Sequence, residues 1–499
     1  MTRSHPLPRL EDVAAADLRD HCRAAVTSGQ RMQMAYAWFP GREDSAPEVR
    51  YLVHSGTAPL RIWRCRSDGR LPSLAAISPL LSWYEREMAD LSGLKFDDSP
   101  DPGPLVLLPG AAISRPPLRS GVAPVIQYEP QAPSLPELSG PTSGYVQLLP
   151  FGPVRADVLE SAQFDFYYLG EAILHYHPQL FFKHRGMEKR FEGLSPELGV
   201  VLAERVSGIG SVAHSLAYCQ ALEAASECEV PARGSVLRLV FAELERLYNH
   251  LHYLGHLSHT TTLKVGEAEG KYLEELAKQL NGRTTGHRLL RGLICPGGLR
   301  REPDLTALRE DLARITGEFS QYADMLETST THLDRLITTG RLSRQLAFDQ
   351  GATGPVERAS GLDRDLRRDQ PYAAYPLVVP AVPTRAAGDA HARQQVRIEE
   401  THHSIDLIVR ALDVLAAGPI HTPCRIRPGS EGLGWAESPR GSLYYAVHVD
   451  AAGQLARVKI KSPSFSNWRA FAFTVHDSNM MDYAINEASF GLTIAGCDR

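Results

Sequence analysis

The chain is poor in cysteine, with seven in 499 residues, and no two of them form a Cys-x-x-Cys pair. They stand at 22, 65, 219, 228, 295, 424 and 497, odd in number and widely scattered. That spacing argues against a disulfide framework or a zinc site and for reduced thiols in the cytoplasm. Long apolar runs are missing as well: no stretch of about 18 residues is apolar enough to be expected to cross a membrane. Nor is there an excess of positive charge. Fifty-three Lys and Arg against 58 Asp and Glu leave a net charge of −5, with no basic footprint for nucleic acid or an anionic bilayer. The opening segment carries Glu11, Asp12, Asp17 and Asp20 without an apolar stretch, so no secretory leader is expected. What remains is an ordinary globular composition, 43% hydrophobic and 22% charged. The length suffices for a sizeable core in roughly two to four domains.

Three zones separate by pattern. Residues 1–105 read as a small α/β unit: a helix over Leu10–Ser28, strand-like runs at Met34–Phe39, Arg50–His54 and Leu60–Cys65, and a helix that stops at Gly93. Residues 106–142 read as a linker, because Pro109, Pro116, Pro117, Pro124, Pro130, Pro133, Pro136 and Pro141 leave no room for helix. Such a segment is expected to be extended and exposed. Residues 143–499 read as a large, mainly helical domain, a long-helix bundle with peripheral strands, which makes the whole an α+β protein. Its opening strands are expected at Val146–Pro150 and Gln163–Leu169. Helical periodicity follows over Pro196–Glu227, Ser235–Thr261, Glu267–Leu280, Asp304–Thr338 and Gln394–Leu415, with a hairpin at Ser442–Val449 and Gln454–Ile460.

Several motifs carry a resemblance. They are His184-Arg185-Gly186-Met187-Glu188-Lys189, then Glu243-x-x-Arg246-x-x-Asn249-His250, then Gly354-Pro355, Arg358-Ala359-Ser360-Gly361, Asp365-Leu366-Arg367 and Arg397-Ile398-Glu399-Glu400. In this order they resemble the shared fold of nickel–iron hydrogenase large subunits and the quinone-pocket subunit of respiratory complex I. Tyr84-Glu85-Arg86-Glu87-x-x-Asp90-x-x-Gly93-x-x-Phe96 resembles the peripheral subunit that neighbours the latter. Fusion of the two parts is the arrangement of energy-converting hydrogenases. The resemblance implies a place against a small Fe–S subunit, with a ferredoxin-like Fe–S subunit and integral membrane subunits in the same complex. The chain would then be cytoplasmic and peripheral to the inner membrane through its partners. The implied fold is of the hydrogenase large-subunit type.

The metal ligands of that fold are not here. Ser207 and Gly210, and Thr493 and Gly496 counted back from the closing Asp498-Arg499, stand where hydrogenases carry two Cys-x-x-Cys pairs. Nickel and iron need soft thiolate sulfur, which a hydroxyl or a glycine does not supply. Cys219 and Cys497 are the only thiols close by in sequence, and two cannot replace four. The chain is therefore expected to bind no cofactor itself and not to be a working hydrogenase, with the Fe–S cluster in a partner. A quinone site is the other possibility the resemblance offers. There the headgroup histidine falls on Leu159 and an earlier one on Arg155, but Tyr218 occupies the position of the headgroup tyrosine. A phenol can hydrogen-bond a carbonyl and protonate it on reduction. His214 is near it on the same helical stretch, His287 resembles a histidine close to the Fe–S cluster, and His184 with Glu188 could relay protons inward.

Each candidate has a plainer reading: Tyr218, His214 and His287 as core or packing residues, and the His184 motif as a tie between a loop and a helix end. His252, His256 and His259 share one helix face at metal-ligand spacing but lack an evident fourth ligand. The Asp363–Asp369 charge cluster reads as solvated surface or a partner contact. Two functions follow. One is an electron-transfer subunit of an NADH:quinone oxidoreductase-like complex, passing electrons from a partner's Fe–S cluster to a quinone or other acceptor. The other is a non-catalytic subunit that scaffolds Fe–S and membrane partners.

Overall fold

The computed structural model describes residues 8–40, 45–54, 56–108, 110–119, 126–129, 145–155, 160–476 and 478–499. The first unit is a four-stranded sheet. Its strands β1 (Arg9–Asp12), β2 (Arg31–Trp38), β3 (Glu48–His54) and β4 (Arg61–Arg66) lie in the order β1-β4-β3-β2, with only β1 and β4 parallel. Two helices, α1 (Leu18–Thr27) and α2 (Leu81–Ser92), complete it. The single helix expected over Leu10–Ser28 is thus corrected. Its first residues pair with β4 as β1, and Ala15–Asp17 form a 3-10 turn before α1. Gly93 ends α2 in the left-handed region at φ 71°, where a Cβ would be strained.

The exposed-linker expectation is corrected in part, because Val106 and Leu118 are buried among the described residues. The Asp90 carboxylate of α2 accepts the backbone N–H groups of Leu105, Val106 and Leu107, and Leu118 donates to the Leu91 carbonyl at 2.8 Å. Residues 105–107 and 118 thus pack back onto α2, while Pro109, Pro124, Pro130, Pro133, Pro136 and Pro141 lie outside the described residues.

The second unit begins with an antiparallel sheet of β5 (Gln147–Phe151), β6 (Gln163–Leu169) and β7 (Ala172–Gln179), in the order β7-β6-β5. The helical body follows. Ser195 caps α3 (Pro196–Val206) through its side chain, with Pro196 at the first turn, where its missing N–H costs nothing. The expected helix to Glu227 breaks at Ser207-Gly208-Ile209-Gly210, where the Gly210 N–H donates to the Ser207 carbonyl at 2.9 Å, and resumes as α4 (Ser211–Ser226). Long helices α5 (Ala232–Thr260), α6 (Lys264–Thr285) and α7 (Leu308–Thr328), the short α8 (Thr330–Leu336) and the long α9 (Ala390–Asp413) form the bundle. A separate α8 means that the pattern read over Asp304–Thr338 is two helices.

A second antiparallel sheet, β8 (Glu431–Ser438), β9 (Gly441–Val449) and β10 (Leu455–Lys461), packs on α4. Gly432 and Gly434 let it come that close: a Cβ on either would lie 2.0 Å from the carbonyl oxygen of Ala221 or Ala217. Three helices close the chain: α10 (Pro463–Phe471), α11 (Tyr483–Phe490) and α12 (Ile494–Asp498).

The Asp363–Asp369 cluster is solvated at Asp363 and part of Arg368, but it turns inward at other charged members. Asp365, Arg367 and Asp369 are buried. Arg367 bridges Asp365 at 2.7 Å and Glu243 at 3.1 Å, and Arg358 meets Glu400 at 2.5 Å and Glu437 at 3.1 Å. Arg246 and His250 of α5 also reach Glu400. Burial is tolerated because acids and bases from several segments meet in matched pairs. Among the described residues no helix is long and apolar enough to cross a membrane.

Candidate functional site

The Ser207–Gly210 break and the start of α12, which carry the four positions of the absent thiols, meet at a seam bridged by Arg185. Ser207 and Thr493 are buried there. Thr493 caps α12 by accepting the Gly496 N–H at 3.2 Å, and its hydroxyl lies 3.1 Å from that of Ser464. Arg185 joins the two sides. Its guanidinium donates to the carbonyls of Arg205 at 2.9 Å and Val206 at 2.6 Å on one side, and to that of Ala495 at 2.8 Å on the other.

Carboxylates hold the two helix starts. Glu160 accepts the N–H groups of Ile494 and Ala495 at 2.6 and 2.9 Å, and Glu245 accepts those of Val212 and Ala213 at 2.6 and 3.0 Å. Both occupy the positive ends of helices. The break itself is gripped from α5, where Tyr248 and Asn249 donate to the Ile209 carbonyl at 2.8 and 2.9 Å, and from Arg291, which reaches the Gly208 carbonyl at 2.9 Å. One helix motif therefore serves two purposes. Glu243, Arg246 and His250 enter the buried ion network, while Glu245, Tyr248 and Asn249 shape the seam.

This donor set does not fit a nickel–iron centre: two hydroxyls and two glycines offer no soft anionic ligand. Burial holds the thiols of Cys219 and Cys497 well above the ordinary thiol range, so both are neutral core groups. Among the described residues no group of three or more His, Cys, Asp or Glu is placed to hold a metal ion. His252, His256 and His259 form a ladder with neighbouring rings 6.3 Å apart, and His252 and His259 face Glu274 and Glu267 at 3.0 Å each.

The candidate residues fall into separate groups. His214 and Tyr218 of α4 are brought together by Tyr445 of β9. The Tyr445 hydroxyl and His214 Nδ1 share a hydrogen bond at 2.8 Å, and the Tyr445 ring lies 5.9 Å from that of Tyr218. Burial lowers the His214 pKa to about 3, so the ring is neutral at physiological pH. Tyr218 is fully buried, and its hydroxyl donates to the Pro196 carbonyl at 2.8 Å. Burial also raises its pKa well above the ordinary phenol value, which makes it a weaker acid.

His184 and Glu188 belong to a second cluster. The exposed His184 donates through Nδ1 to the Asp498 carbonyl at 2.7 Å. Glu188 is buried against Arg457 at 2.8 Å and against Lys459 and Arg499 at 3.2 Å each. Burial opposes its ionisation, but Lys459, Arg457 and Arg499 outweigh that and hold its pKa below the ordinary carboxylate value. Glu188 is thus a fixed anion in an ion cluster. His287 stands apart on the turn after α6, half-buried, its Nδ1 accepting the Leu289 N–H at 3.0 Å. Arg155 lies between the rings of Phe151 and Phe164 and pairs with Glu487 at 3.3 Å. Leu159 lies outside the described residues.

Sequence reasoning missed Tyr445, Glu160, Ser464 and the bridging function of Arg185. Only Arg185 lay inside a motif that could have flagged it. Glu160 and Ser464 are linked to the seam by contacts more than about 25 residues away in sequence, and Tyr445 sits in an apolar strand.

Comparison with known proteins places these features. The profile "Respiratory-chain NADH dehydrogenase, 49 Kd subunit" matches residues 273–428 and 424–499, and "Respiratory-chain NADH dehydrogenase, 30 Kd subunit" matches 10–125. "Nickel-dependent hydrogenase" matches 185–287. Formate hydrogenlyase subunit 5 of Escherichia coli (strain K12) is 30% identical over 451 residues, covering 87% of this chain and 78% of the relative. The NADH-quinone oxidoreductase C/D polypeptide of Rhodopseudomonas palustris (strain BisA53) is 27% identical, covering 90% and 86% respectively. Among solved structures, a chain of the membrane-bound sulfane sulfur reductase, an archaeal respiratory membrane complex, superposes with a TM-score of 0.68 at 23% identity. That match covers 72% of this chain and all of the other, and it speaks to the fold.

Proposed function

The chain belongs to the family that unites the complex I 30 and 49 kDa subunits with the formate hydrogenlyase and hydrogenase subunits related to them, and from that membership we propose an electron-transfer role without nickel. In this reading it is a subunit of a membrane-attached complex I-like oxidoreductase on the cytoplasmic side. Electrons arrive from an Fe–S cluster in a partner and pass to a quinone or another organic acceptor, while coupling to ion movement resides in membrane partners. The observation that carries this reading is the seam. Arg185, Glu160, Glu245 and the Thr493–Ser464 hydroxyl pair keep the two former ligand segments in register without sulfur.

Within this proposal Tyr218 is the phenol offered to the acceptor. A Tyr218→Phe variant of the assembled complex is expected to lower quinone turnover at least tenfold while leaving reduction of the partner's Fe–S cluster intact. Unchanged turnover would remove that role.

One observation favours a second reading, that of a non-catalytic scaffold: the Tyr218 hydroxyl is already bonded to Pro196 and the ring is fully enclosed. A complex whose Fe–S partner is reduced but which turns over no quinone, whatever residue stands at 218, supports the scaffold.

A further inference from the structure

Away from the seam, a cavity of ≈ 840 Å³ opens between the two units. That is a ligand-sized volume, within the range of about 300–1,000 Å³ typical of small-molecule sites. Its walls come from α2, the segment after it, the end of β7 and α10. Trp83, Leu105, Leu107, Phe181 and Phe473 make them mostly apolar.

Two guanidinium groups reach the cavity, and they differ. Arg86 is fully engaged, donating to the carbonyls of Gly103 at 2.8 Å and Pro104 at 2.6 Å and pairing with Asp101. Its charge is matched inside the wall. Arg469 of α10 is partly buried, and among the described residues its guanidinium has neither a carboxylate nor a hydrogen-bond acceptor; its Nε is a buried donor without a partner. Burial and the nearby Arg86 lower its pKa to about 10, with Asp101 and Glu85 pulling the other way from beyond ion-pair distance, so it carries its charge at neutral pH. A cation left unpaired beside an apolar enclosure is unfavourable unless an anion joins it. The cavity thus combines room, mostly apolar walls and one guanidinium with no direct partner among the described residues.

We propose that this cavity binds an apolar-bodied organic anion, a single molecule whose acidic headgroup, carboxylate or phosphate, pairs with Arg469 while its hydrocarbon part lies against Trp83, Leu107 and Phe473. The fork of donors on arginine suits either headgroup. The site is separate from the seam and independent of the acceptor proposed there.

Isothermal titration of the full-length chain with sodium decanoate, decanol and inorganic phosphate tests this. Saturable binding of one decanoate per chain is expected, with decanol and phosphate each at least tenfold weaker. Decyl phosphate binding at least as tightly as decanoate would assign the headgroup to the phosphate class, and weaker binding would assign it to the carboxylate class. Arg469→Gln is expected to lose at least tenfold in decanoate affinity, and Arg469→Lys to keep part of it. The proposal is overturned if decanoate does not saturate, if decanol or phosphate binds as well as decanoate, or if Arg469→Gln binds decanoate like the unaltered chain. Should the Gln variant fail to fold, the decanoate-to-decanol ratio on the unaltered chain decides alone.

Discussion

Gly199 shows how closely the seam's surroundings are packed. A Cβ there would stand 2.0 Å from the Tyr218 hydroxyl and 3.0 Å from a methyl of Leu455. In an open helix a Gly to Ala change gains about 0.5–1 kcal/mol. Here Gly199→Ala is expected to destabilise the fold by about 2 kcal/mol. Overpacking costs roughly 1–3 kcal/mol, and displacing the phenol from the Pro196 carbonyl roughly 1 kcal/mol more. Urea denaturation measures the change. The double variant Gly199→Ala, Tyr218→Phe should recover part of the loss, because the closest clashing atom is gone; strictly additive losses would show that the contact is not what limits the site. At this scale the sequence was informative about identity but silent about partners. The motif order located Tyr218 and His214, but nothing in it pointed to Tyr445, 231 residues away from the His214 it bonds.

At the scale of elements, the seam depends on carboxylates at two helix starts, and one of them makes stability depend on pH. Burial raises the Glu245 pKa from 4.5 to about 7, against the opposing pull of the Ala213 and Val212 N–H groups. A carboxyl whose folded pKa is raised stabilises fully below the unfolded value, and that contribution is lost as pH rises through the folded value. The thermal midpoint is therefore expected to fall between about pH 5 and 8, and Glu245→Gln should flatten that fall. Parallel pH curves for the two proteins would assign the slope to Glu85, Glu437 or Asp498, whose pKa values burial raises to about 7 as well.

Helices were the legible elements because a 3.6-residue period survives in one sequence. The break at Ser207–Gly210 went unread because apolar periodicity runs on both sides of it. Strand β7 was hidden by His175, His177 and Pro178, and β8 by Gly432 and Gly434, residues kept for close approach to α4 instead of for strand propensity. The buried ion network was misread for a related reason: a charge run looks solvated until its partners from other segments are seen.

On the scale of the whole molecule, the two units are joined by buried charge. Glu87 of α2 meets Lys459 at 2.5 Å and Arg499 at 2.7 Å, and Arg31 of β2 meets Glu357 at 3.2 Å. Glu87→Ala leaves three buried cations, Arg457, Lys459 and Arg499, sharing Glu188 alone, and a loss of about 3 kcal/mol in unfolding free energy is expected from denaturant titration. A loss under about 0.5 kcal/mol would mean that water replaces the carboxylate and that the junction is held by apolar packing. The fused arrangement thus couples the first unit through buried ion pairs to the domain that carries the seam shaped by hydroxyls, Arg185 and two carboxylates. In the proposed reading this seam serves electron transfer without nickel. The most direct test is elemental analysis of the purified, assembled complex alongside its quinone turnover. Nickel far below one atom per chain is expected in a preparation that still reduces quinone; one nickel per chain, together with hydrogen evolution, would contradict nickel-free electron transfer.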